Sequence, residues 1–222
     1  PFVVVAVGTL ILLPFVARVH VDESGEPPPK RLAIDLLASR PFAGAIVMGT
    51  ALFVMIGTFD ALWAVVHKDL DTADWMANLG ITLFALPLVF LGPLGGRLSQ
   101  VHGPFRVGVR GRALGTGCMA LYGLMPTGTL IFAVAMIHSV FDGFTVSSSG
   151  IAVGMVAPPD RQAGAQGVLG AANALMAGIM AVVAASLYDH FGRMTAYLAC
   201  AAVMAALIGL AAWLARSTWG LT

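Results

Sequence analysis

Seven long apolar stretches follow one another along this chain, and nearly all of its charged side chains fall in the gaps between them. In hydrocarbon no water is present to bond backbone N–H and C=O groups, so a crossing segment has to satisfy them internally, as a helix does. Hydrophobic residues make up 59% of the chain and charged ones 10%, against about 25% charged in an average soluble domain. The pattern therefore predicts an all-α, polytopic transmembrane helix bundle whose medium is the lipid bilayer. It leaves no room for a soluble domain.

A hydrocarbon core of about 30 Å takes about 20 apolar residues to cross. The predicted spans cover residues 2–17, 42–66, 76–94, 107–125, 129–157, 163–187 and 194–215. At about 1.5 Å per residue the first is short, and the chain opens on Pro1. Both features predict a partial transmembrane helix, the end of one belonging to a longer protein. A signal peptide is the competing reading, but no basic stretch precedes residues 2–17 and no small-x-small site closes them. Ten of the 12 Lys and Arg residues fall in one set of gaps or at the start of the span that follows: Arg18, Lys30, Arg31, Arg40, Arg97, Arg106, Arg110, Arg112, Arg161 and Arg216. Only Lys68 and Arg193 fall in the other. The positive-inside rule then makes residues 18–41, 95–106, 158–162 and the C-terminus cytoplasmic. Within 18–41, the acidic, proline-rich residues 21–29 read as a flexible linker. Residues 30–40 place Ala33, Leu36 and Leu37 on one helical face, the pattern of a short interfacial helix; a solvated loop is the alternative. The expected organisation is a partial span (1–17), a cytoplasmic loop (18–41), a six-helix transmembrane domain (42–217) and a cytoplasmic tail (218–222).

Ionisable side chains inside a membrane are costly and mark functional positions. The fifth span carries His138, Asp142, Thr145 and Ser149 at intervals of four, three and four residues, which is one helical stripe. A carboxylate one turn from an imidazole is suited to taking up and releasing a proton. An interhelical hydrogen-bonding stripe is the plainer reading, although an ionisable pair is a costly glue. In the sixth span Gln162, Gln166 and Asn173 share a face, with Asn173 near mid-membrane. Asp60 and Trp63 lie one turn apart late in the second span, where an acid reaching water and an aromatic belt residue are the plainer reading and a binding pair the other. The fourth and seventh spans read as lipid-facing, because beyond the arginines at its cytoplasmic start the fourth holds only Thr116, Cys118 and Tyr122 as polar groups. No Lys or Arg is placed at mid-membrane, which argues against an anionic substrate.

Gly92/Gly96, Gly111/Gly115, Gly150/Gly154 and Ala174/Gly178 have the small-xxx-small spacing that lets helix backbones approach in lipid. Cys118 and Cys200 sit inside spans without metal-ligand spacing and read as small packing residues. The chain has no P-loop, HExxH motif or glycine-rich nucleotide turn. No cofactor, metal or nucleic-acid partner is expected, nor transport powered by this chain's own ATP hydrolysis.

The segment Gly95-Gly96-Arg97-Leu98-Ser99-Gln100-Val101-His102-Gly103-Pro104-Phe105-Arg106 resembles the G-x-L-a-D-R-x-G-R-R loop of major facilitator superfamily transporters. Gln100 and Val101 stand where the family usually has Asp and Arg. Residues 157–167 (Ala157-Pro158-Pro159-Asp160-Arg161-Gln162-Ala163-Gly164-Ala165-Gln166-Gly167) are similar to its P-x-x-R-x-x-A-x-G turn, and residues 187–193 to the companion outer turn. The resemblance implies that 2–17 is the family's sixth helix, 18–41 its central loop, and the rest the C-terminal six-helix domain. Such a domain is built of two inverted three-helix repeats, with the second and fifth spans lining the central path and the fourth and seventh outermost. Gly96, Arg97, Gly103, Arg106 and Arg161 become candidates for a cytoplasmic gating loop.

The function expected is secondary transport of a small molecule by alternating access across the plasma membrane, and not an enzyme activity. The N-terminal six-helix half of the same protein is the implied partner. Asp142 and His138 are the candidates for proton coupling; Asp60, Trp63, Phe141, Thr145, Ser149 and Asn173 are those for substrate binding. The apolar and aromatic surroundings favour efflux of a lipophilic compound by proton antiport. Proton symport of a sugar or organic acid is the alternative. An embedded enzyme lacks the further aspartates or Gly-x-Gly-Asp motif that its chemistry needs, and a structural subunit has no need of the polar stripe.

Overall fold

A computed structural model describes residues 2–18 and 33–219, which fall into two units, 1–31 and 32–222. In the first, α1 (Phe2–Val16) continues through Pro14. The linker residues 21–29, Lys30, Arg31 and residues 220–222 lie outside the described residues. The second unit opens with a 3-10 turn, Ile34–Ala38. Of the predicted interfacial face, Ala33 is buried, Leu36 half-buried and Leu37 exposed.

The helices that follow are α2 (Arg40–Asp69), α3 (Asp74–His102), α4 (Pro104–Leu124), α5 (Gly128–Thr145), α6 (Ser148–Val156) and α7 (Gln162–Leu214). No strand occurs among the described residues. Four helical stretches among them are long and apolar enough to cross a membrane: Arg40–Asp69, Asp74–His102, Gly128–Val156 and Pro159–Leu214. Three arginines in α4, Arg106, Arg110 and Arg112, keep that helix less apolar than those four. At 53 residues α7 is too long for one crossing, and its backbone breaks at Gly192, where φ is 80° and ψ 173°. A positive φ is open to glycine at little cost. The limbs 162–191 and 193–214 are about 45 and 33 Å long at about 1.5 Å per residue, one crossing each. The fifth span is looser than a single rod, since Val146 and Ser147 separate α5 from α6 while keeping helical dihedrals.

The helices also run beyond the predicted spans. α3 continues through His102, so Gly96 and Arg97, expected in a loop, lie in its last turns. Outside hydrocarbon, water can satisfy a polar helix end, and nothing obliges the helix to stop at the membrane edge. Only Gly103, with φ 87°, separates α3 from α4. Pro104, preset for a first helical position, starts the new helix at once.

α2 is the interior helix: 78% of its apolar window is buried against 17% for α3. Close approaches depend on small residues. A methyl group at Gly57 would meet the Ala177 backbone of α7, and one at Gly95 the Phe144 backbone of α5. Of the four predicted small-xxx-small pairs, only Gly111/Gly115 makes such contact, against Thr145 and His138 of α5. Nothing stands within 4 Å of a Cβ placed on Gly178. Thus α4 is scooped out where the polar side chains of α5 enter.

Candidate functional site

His138, Asp142, Thr145 and Ser149 form the predicted stripe, and all four are buried, at 1%, 2%, 3% and 4% exposure. What they face is α4. The His138 Nδ1 lies 2.8 Å from the Tyr122 hydroxyl. Its Nε2 lies 3.6 Å from Asp142 Oδ2. One turn further along, Arg112 Nη2 donates to Ser149 Oγ at 2.8 Å. Thr145 donates to the Phe141 carbonyl of its own helix at 3.0 Å. Ser99 of α3 and Ser148 of α6 add a buried hydroxyl pair at 2.9 Å.

Arg112 corrects two sequence-based expectations. The sequence groups it with the basic flank of the fourth span, and a cation sealed among the helices is not expected there. Instead it is 1% exposed, about 12 Å along α4 from Pro104 at about 1.5 Å per residue. Its Nε and Nη1 have no hydrogen-bond partner, nor does Asp142 Oδ2. Asp142 lies within electrostatic reach of both Arg112 and His138. A guanidinium without a counter-charge is costly away from water, and the nearby Asp142 carboxylate offsets part of that cost. α4 is therefore not apolar all round: Arg112 and Tyr122 hold the inner side of the polar cluster, while Leu114, Leu121 and Leu124 stay exposed on its outer side. Periodicity could have found Arg112, which recurs with Gly108, Gly111 and Gly115 on one small-residue face.

The other predicted residues scatter. Asp60 is exposed and borders, with Asp142, a cavity of about 140 Å³ lined by Phe59, Phe84, Met55 and Leu88. Trp63 is not at that cavity. It is 1% exposed, donates to the Ala77 carbonyl at 3.0 Å and lies over Gly80 of α3, a seam between α2 and α3. Phe141 lines a different cleft, between α3, α4 and α5. Asn173 is half-buried on α7 facing Gly49 of α2, and its Oδ1 is without a hydrogen-bond partner. Arg97 is exposed, Gly103 buried and Arg106 half-buried. Arg161 grips Asp35, a partner that sequence reasoning missed, through two bonds of 2.7 and 2.6 Å. No cluster of metal-ligating side chains occurs among the described residues.

A bundle of membrane-length helices enclosing an arginine, a carboxylate and an imidazole is built like an integral membrane transporter. A family model described as Major Facilitator Superfamily matches residues 42–218; the chain belongs to that superfamily of secondary transporters. No curated protein and no solved structure matches it.

Proposed function

We propose that this chain is the C-terminal half of a proton-coupled carrier of the plasma membrane, exporting a lipophilic compound by antiport. Asp142 and His138 exchange the coupling proton. The observation that carries this reading is the buried pair His138–Asp142, 3.6 Å apart, with Arg112 as the neighbouring fixed cation. When Asp142 is ionised, it balances Arg112 across the contact between α4 and α5. When it is protonated, Arg112 retains only the Ser149 hydroxyl, and the α4–α5 contact loses its charge attraction. A two-state carrier needs such a difference, because a ligand shifts an equilibrium only through its differential interaction with the two states. The cavity shared by Asp60 and Asp142 offers the proton a way in from the exposed carboxylate. Its aromatic lining suits an apolar substrate.

Arg112 also lends weight to the alternative, symport of an organic acid, since a buried guanidinium is the natural partner of a carboxylate. The test uses the full-length transporter in proteoliposomes with Arg112→Met/Asp142→Asn, which removes both charges together. Downhill substrate exchange is expected to persist while accumulation driven by a pH gradient disappears. Undiminished proton-driven accumulation in this variant overturns the reading. The sign of the gradient that drives accumulation separates antiport from symport.

A further inference from the structure

We propose that the cleft between α3, α4 and α5 at the basic end of the bundle holds one anionic phospholipid, acyl chain inside and phosphate at the rim. The cleft has a volume of about 590 Å³. Its depth is apolar: Leu98 from α3, Leu114 from α4, and Phe141 and Phe144 from α5. Its rim is basic, with Arg106, Arg110 and His102, and no acidic side chain lines it. Among the described residues, Arg106 and Arg110 have no carboxylate partner.

The geometry follows from the sequence of α4. Arg106, Arg110 and Leu114 recur every fourth residue and so occupy one face in successive turns, each about 6 Å deeper at about 1.5 Å per residue. Cation, cation, hydrocarbon is the complement of what an anionic leaflet presents from phosphate to acyl chain. The single-residue link at Gly103 holds α3 and α4 together at the rim, and α5 fills the space between them with two phenyl rings. The charge bias of the gaps puts this end in the cytoplasm, where the leaflet is anionic, and basic pockets between helices on that side take phosphate head groups. Phosphatidylcholine would bring its own cation up to two arginines, so the site discriminates by net charge. Were the arginines only orientation anchors, they would bind no particular lipid.

The test is native mass spectrometry of the full-length transporter in neutral detergent, titrated with phosphatidylglycerol, acyl-matched phosphatidylcholine or glycerol phosphate. One phosphatidylglycerol is expected to bind at least tenfold more tightly than phosphatidylcholine, and glycerol phosphate should not displace it. Arg106→Gln/Arg110→Gln is expected to weaken binding about thirty-fold, from about 1 kcal/mol per basic residue converted at about 1.4 kcal/mol per tenfold. Leu114→Trp fills the cleft from an exposed position and should also expel the lipid, whereas Lys68→Gln at the opposite end should leave affinity within threefold. Equal affinity for the two lipids, displacement by glycerol phosphate, or unchanged affinity in the Leu114→Trp variant overturns the proposal. These measurements do not require the double arginine variant to fold.

Discussion

Replacing Asp142 with Asn is nearly isosteric, so its effect isolates charge. Arg112 would remain sealed at 1% exposure with one hydrogen bond, to Ser149, and its nearby carboxylate gone. Removing one member of a directly bonded buried charge pair costs about 3–5 kcal/mol, whereas replacing both members with well-packed neutral groups is often neutral or stabilising. Asp142 and Arg112 make no direct ion pair, so the low end of that range applies. A loss of about 3 kcal/mol lowers Tm by about 6–12 °C, at about 2–4 °C per kcal/mol for a domain of this size. Cys118 and Cys200 are free and buried, so a thiol-reactive dye reports unfolding of the purified transporter in detergent without an added label. Asp142→Asn should unfold well below the parent. Arg112→Met/Asp142→Asn should return close to it, so that the double-mutant cycle shows strong coupling. If Asp142→Asn unfolds within about 2 °C of the parent, or the two substitutions simply add, Asp142 is not the counter-charge of Arg112 and the reasoning fails.

Three further expectations rest on local contacts. Gly111→Val drives a branched side chain into Thr145 and should destabilise by about 1–3 kcal/mol, as overpacking does. Gly117→Ala on the same helix meets nothing within 4 Å and should stabilise by about 0.5–1 kcal/mol; the same dye assay compares the two. Tyr122→Phe strands His138 Nδ1, bonded at 2.8 Å in the parent, and should cost about 1–3 kcal/mol, read as a fall in Tm with helicity by circular dichroism unchanged. Asp35→Asn weakens the pair with Arg161, whose acid is 40% exposed. Exposed pairs contribute about 0–1 kcal/mol, so the Tm should shift by no more than about 4 °C.

Much of the architecture was legible without coordinates, for a reason particular to membranes. Each crossing helix leaves a run of apolar residues, and each exit from the bilayer tends to leave a charge or a Gly/Pro pair, as at residues 95–106 and 158–162. The ends of helices were less legible. α3 runs on to His102 and α7 past Tyr188 because water supports a polar helix as well as it supports a loop. Its spacing to Asp60 makes Trp63 a substrate-binding candidate, but an indole one turn away on a buried helix faces whichever neighbour presents a carbonyl, here Ala77.

The chain's own order of residues settled which side chains share a face: His138, Asp142, Thr145 and Ser149 lie on one stripe by the arithmetic of 3.6 residues per turn. Tertiary structure alone decided what that stripe meets. In water, an amphipathic helix turns its apolar face inward, and sequence predicts the rotation. In lipid, hydrocarbon is as apolar as the protein interior, so close packing of helices sets the rotation instead. Gly111 and Gly115 opened a groove on α4, and the polar side chains of α5 turned into it, drawing Arg112 and Tyr122 into the cluster.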